Sequence, residues 1–177
     1  MCRICDGATE QDLFDSIDTH VAAGRWALQG VEPEPGGEGW VYTIGLLENF
    51  GQPELVATGR NLGSYAGLLN EIGERVERGL RVDAGSVLDL DGYVVEFETV
   101  HPSYLAHGLC ASWNNYYGAT GTQPEPLRAL QVVVPLTEWC DHCDRLRRCL
   151  ATPGARGFGG PGNRAARRAQ ARRGRRG

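Results

Sequence analysis

The sequence predicts one α+β domain over residues 1–150: a single, mainly antiparallel or mixed sheet with two or three packing helices. Three observations predict it. Segments 9–24 and 62–79 repeat apolar residues at helical spacing. Several short runs, 40–46 and 93–101 above all, carry strand patterning instead. The links between the early strands are short, which favours antiparallel pairing, because a parallel pair needs a long crossover.

Along the chain, a first helix is expected over 9–24. Thr9 caps it, with Asp12 in a weak capping box, Leu13, Ile17 and Val21 recur every four residues, and Gly24 stops it. WALQGV at 26–31 reads as a strand, and EPEPGGEG at 32–39 breaks the pattern. WVYTIGL at 40–46 is almost wholly apolar and reads as a strand buried on both faces. ELVATG at 54–59 is a third strand. The clearest helix spans 62–79, with Leu62, Tyr65, Leu68, Leu69, Ile72 and Val76 on one face and the Glu71–Arg75 and Glu74–Arg78 pairs on the other. YVVEFETVH at 93–101 alternates, placing Val95 and Phe97 on a dry face and Glu96 and Glu98 on a wet one. Pro102 opens a helix over 103–117, which Gly108 weakens, and ALQVVVP at 129–135 is the last strand.

Charge is divided unevenly. All 18 basic residues are Arg, and eight of them lie in 151–177, a stretch with no acid. Residues 1–150 hold ten Arg against 22 acids, a net of −12. The expected organisation is an acidic folded body joined to a disordered Arg/Gly-rich tail over 151–177, because Gly, Pro and like charges leave the tail little to bury. Such a tail suits contact with an acidic protein or nucleic acid through carboxylate or phosphate pairing. A solubilising extension fits the same composition. Phe158 is the one aromatic among its arginines, too few for a stacking platform, which argues against base stacking.

The N-terminal MCRICDGATEQD has no apolar stretch of the secretory kind, and no apolar run approaches a membrane span. A cytoplasmic location without membrane contact is therefore expected. The six cysteines are then expected as thiols or metal ligands.

At YTIGL (42–46) and PELVATG (53–59) the chain resembles a bacterial family called domain of unknown function 4262. The likeness extends to the N-terminal Cys2, Cys5 and Asp6, the WALQGV strand, LLNEI at 68–72 and LQVV at 130–133, covering roughly residues 1–135. It implies no mechanism. The stretch EWCDHCDRLRRC at 138–149 departs from the family pattern.

Two CxxC pairs, Cys2/Cys5 and Cys140/Cys143, carry the strongest chemical signal. A two-residue gap lets both thiolates of a pair reach one tetrahedral ion, and two pairs complete a Cys₄ zinc site. Cys149 and His142 are substitute ligands. Unconnected reduced thiols, an iron–sulfur cluster and a dithiol redox centre are the other readings of the same spacing. Cys110, in the weak helix, reads as a small buried hydrophobe or a nucleophile.

Three further residues are weak catalytic candidates. Glu54 starts a strand among apolar neighbours, so its carboxylate must bond to loop amides or serve a ligand or catalytic site. His101 ends a strand before Pro102 and is either a hydrogen-bonded core-edge histidine or a general acid or base, with His107 nearby. Tyr42 and Thr43 offer hydroxyls from the buried strand. His20 is expected to be exposed. The phosphate-binding GxxxxGK[ST], the GxGxxG, the GxSxG elbow and HExxH are all missing from the sequence. The leading expectation is a zinc-stapled binding or accessory module. A small enzyme built on Glu54, His101 and Tyr42, and a dithiol redox protein, are the alternatives.

Overall fold

The structure, a computed structural model, describes residues 9–32, 38–59, 61–91, 93–124, 126–134, 139–140, 145–146 and 150. Five helices and a mixed six-stranded sheet make up the body. The order of elements is α1 (Glu10–Val21), β1 (Ala27–Val31), β2 (Gly39–Ile44), α2 (Leu46–Phe50), β3 (Glu54–Gly59), α3 (Leu62–Glu77), β4 (Val87–Leu90), β5 (Tyr93–Thr99), α4 (Pro102–Ala106), α5 (Ala111–Thr120) and β6 (Ala129–Val133). A two-stranded hairpin follows, β7 (Trp139–Cys140) with β8 (Arg145–Leu146). Strands run β1-β2-β3-β6-β5-β4 across the main sheet. Every neighbour is antiparallel except β3 and β6, which are parallel. Among the described residues no helix is long and apolar enough to cross a membrane.

Local chemistry explains the elements. Thr9 caps α1: its hydroxyl accepts from the Asp12 amide at 3.1 Å, and the Asp12 carboxylate accepts from the Thr9 amide at 2.7 Å. The Thr9 amide and then the Thr9 hydroxyl, both donating to that carboxylate, hold the Asp12 carboxyl below its ordinary pKa. The helix ends at Val21, the last residue of its apolar stripe and short of the expected 24, and Gly24 takes the positive φ of the turn that follows. β2 and β3 are buried at every position, as expected of interior strands. In α3, Glu71 and Arg75 meet at 2.9 Å on the outer side.

Two apolar layers sandwich the sheet. On one face, Leu68, Leu69, Ile72 and Val76 of α3 pack on Val41, Leu55, Ala57, Leu130, Val132, Val95 and Phe97. On the other, α1, α4 and α5 bring Ile17, Val21, Tyr104, Trp113, Tyr116 and Tyr117 onto Trp40, Tyr42, Ile44, Val56 and Ala129. Leu150 belongs to this second core and is fully buried. Its amide donates to Gln131 Oε1 at 3.1 Å, and its carbonyl accepts from the His101 amide at 2.8 Å.

Three elements differ from the sequence-based expectation. The apolar run at 40–46 turns from strand to helix at Gly45, whose φ is 114°. A Cβ there would lie 2.8 Å from the Arg25 carbonyl oxygen, so both backbone and space require glycine. The single helix expected over 103–117 is two, α4 and α5, split where Gly108 adopts φ 87°. β4 is an additional edge strand. It joins β5 through a tight turn in which Asp91 takes φ 37°.

Candidate functional site

Glu54 opens β3 and is completely buried. Its carboxylate accepts five hydrogen bonds. Thr43 Oγ1 donates to Oε2 at 2.6 Å, and the amide of Leu46 reaches the same oxygen at 3.3 Å. Oε1 accepts from the amides of Gly45 at 2.9 Å and Leu47 at 3.3 Å, and from Trp113 Nε1 at 3.2 Å. The β2–α2–β3 connection thus folds around one carboxylate, and α5 closes it from across the core. Thr43 Oγ1 also accepts from the Leu55 amide at 2.9 Å, so the hydroxyl is itself used in both directions.

No cation contributes to this network among the described residues; all five donors are neutral. Two opposing effects therefore set the carboxyl's proton affinity. Burial raises its pKa from an ordinary 4.5 to about 7, against the downward pull of the Thr43, Gly45, Leu47 and Trp113 hydrogen bonds. A carboxyl near neutrality would suit acid–base chemistry, yet Glu54 exposes none of its surface and spends both oxygens on fixed donors.

The neighbouring polar groups are used internally as well. Tyr42 lies in the core, and its hydroxyl accepts from the Ser112 amide at 3.1 Å. Burial, then the nearby Cys110, pushes its phenol well above the ordinary value. Burial first, and the charge of Glu54 second, likewise raise the Cys110 thiol, so this cysteine stays a protonated core residue. Tyr117 donates to Glu48 at 2.8 Å and Tyr116 to Asp18 at 2.9 Å. The rings of Trp113 and Tyr117 lie 4.5 Å apart, which fixes the indole that serves Glu54. Gln52 spans to Val82, donating to its carbonyl at 2.6 Å and accepting from its amide at 3.2 Å.

His101 makes its hydrogen bonds locally. His101 is half-buried and caps α4: its Nδ1 accepts from the Ser103 amide at 3.2 Å and meets the Ser103 hydroxyl at 2.8 Å. Among the described residues no hydrogen bond joins it to Glu54 or Tyr42. His107 is exposed at the end of α4, bonded through Nδ1 to the Ser103 carbonyl, and His20 is exposed on α1. Cys2, Cys5 and Cys143, with the substitutes His142 and Cys149, lie outside the described residues, as does the side chain of Cys140. Among the described residues no group of three or more His, Cys, Asp or Glu is placed to hold a metal.

Trp113 is the member of the Glu54 network that sequence reasoning missed. Helical spacing placed it on an apolar stripe, and that is where it sits. The available signal was chemical: a fully buried indole needs a partner for its N–H.

A family model, described as a domain of unknown function (DUF4262), matches residues 20–138, two thirds of the chain. The chain belongs to this family. The match takes in β1 through β6 and so contains the whole Glu54 network. No curated protein matches the chain, and no solved structure does.

Proposed function

We propose that this member of the DUF4262 family is a non-catalytic binding or accessory module, stapled by a zinc ion through Cys2, Cys5, Cys140 and Cys143. One observation carries the first half of this reading. Glu54, the polar residue best suited to chemistry, is sealed in the core and saturated by five donors. A general base must reach its substrate's proton within hydrogen-bond distance, and here that space belongs to Trp113 and three backbone amides.

The staple is supported by where the flanking chain is anchored. Cys140 pairs with Arg145, so Cys143 lies within the four-residue link of the β7–β8 hairpin. Beyond that hairpin the chain returns to the body at Leu150, in the same core that receives α1. Cys5 precedes the α1 cap, Thr9, by four residues. Both cysteine pairs therefore adjoin segments anchored on one side of the sheet, and four thiolates are a donor set that zinc accepts.

Metal analysis of the full chain purified without chelator tests this. About one equivalent of zinc is expected, lost in Cys2→Ser and in Cys140→Ser, each with a lowered melting temperature. Zinc and iron together below about 0.2 equivalents, with both variants melting like the parent, would remove the staple.

A further inference from the structure

Among the described residues, the helices leave one face of the sheet open at β4 and β5. In the β5–β6 and β4–β5 registers, Gln131 stands opposite Glu98, Val133 and Val87 opposite Glu96, and Asp89 opposite Val94. Directly opposed residues share a face. Glu98, Glu96, Val94, Val87 and Asp89 therefore lie together, on the side opposite Val95 and Phe97, which pack beneath α3. Among the described residues, none of the α1–α4–α5 core comes from β4 or β5. Val94 is 39% exposed and Val87 66%, and Asp89 is exposed too. The result is a sheet face on which Val87, Val94 and Asp89 are exposed beside the half-buried, already partnered Glu96 and Glu98.

We propose that the Arg-rich segment 151–177 of this same chain docks on that face. Charge complementarity comes first: the segment carries eight Arg and no acid, and the face carries Asp89, Glu96 and Glu98. Position comes second. The segment begins immediately after Leu150, whose amide is bonded to Gln131 Oε1, and Gln131 is the cross-strand neighbour of Glu98. Leu150, from which the segment continues, thus sits beside the cross-strand neighbour of Glu98. From β6 to β4 is two strand spacings, roughly 10 Å, while 27 residues can extend to roughly 90 Å. Arginine suits the contact, because its planar head pairs with carboxylates while its methylene stem covers apolar surface such as Val94. An external acidic partner would then compete with the chain's own sheet for the segment. The inference is independent of the zinc reading.

The chain's lack of lysine makes the test selective. The full chain carrying Arg167→Lys and Arg168→Lys presents two new amines in the segment. A water-soluble carbodiimide activates a carboxylate, the nearby amine attacks it to form an amide, and the reagent leaves as its urea. Peptide mapping of the monomer by mass spectrometry reads which acid was joined. Links from positions 167 and 168 are expected at Asp89, Glu96 or Glu98, at least fivefold over the exposed Glu74 and Glu77 of α3. That excess should collapse in 0.5 M salt, where screening shortens the reach of exposed charges to a few ångströms (about 3 Å at 1 M). Links spread equally over α3, links unchanged by salt, links only between chains, or none at all would each overturn the proposal. The last two would assign the segment to an external partner.

Discussion

Glu54 and Glu96 are the same side chain in one sheet, and they lead opposite lives. Glu54 sits at the mouth of an interior strand covered on both sides, so its carboxylate is enclosed by Thr43, the Gly45–Leu47 amides and Trp113. Glu96 sits two strands further along, where α3 covers one face and the helices of the other side do not reach. The difference teaches that position in the sheet, not residue type, decides whether an acid is a fully enclosed structural lock or a half-buried group at the edge of the helical cover. Burying a carboxylate is costly unless its oxygens are satisfied, and among the described acids Glu54 is the one that is fully buried, with both oxygens bonded.

The contrast can be broken most forcefully at the lock. Glu54→Leu strands three backbone donors, the Thr43 hydroxyl and the Trp113 indole in the core. A loss of about 4 kcal/mol in urea unfolding is expected, enough to unfold a marginal domain. A loss under about 1 kcal/mol would mean that the network holds nothing together.

The next effect is on pH dependence. Burial raises the Glu54 pKa from 4.5 to about 7 in the folded chain. Between those values the folded state keeps a proton that the unfolded chain has released. Its contribution is therefore full below about pH 4.5 and declines as pH rises through 7, by on the order of 3 kcal/mol. Unfolding curves at pH 5 and pH 7.5 should show that decline in the parent, and Glu54→Gln should flatten it. An equal decline in the variant would assign the slope to other groups.

Trp113→Phe keeps most of the ring and removes the N–H that reaches Glu54 Oε1. It should cost about 2 kcal/mol, split between the lost bond and the smaller ring. At the open end of the sheet, Val94→Ser should change stability by no more than about 0.5 kcal/mol, because that side chain is already partly in water. A cost there comparable to that at Trp113 would erase the distinction between the two regions.

The same two regions show what could be read in the sequence. β2, β3, α3 and β5 were legible because burial on two faces, or on one, writes a continuous or alternating apolar pattern into the chain. β4 was not, because four residues at an edge, Val87–Leu90, carry too little alternation. The Asp91–Gly92 turn between two strand-like runs was its one local sign. α2 was hidden because Leu46 and Leu47 prolong the apolar run, while the reason for Gly45 is the Arg25 carbonyl of a distant segment. The parallel β3–β6 pair and the Glu54–Trp113 bond, 59 residues apart in sequence, depend on topology that local spacing does not encode. Glu54 itself stood out, since a carboxylate among apolar neighbours demands either amides or a ligand, and the structure supplies amides.

Native-state hydrogen exchange at the Gly45, Leu46 and Leu47 amides, with the Trp113 indole N–H, most directly tests the claim that Glu54 is a sealed structural lock. These protons should exchange only as fast as global unfolding allows, with protection matching the free energy from denaturant unfolding. Exchange orders of magnitude faster than that limit, in a chain whose α3 amides remain protected, would show the carboxylate open to solvent and contradict the account.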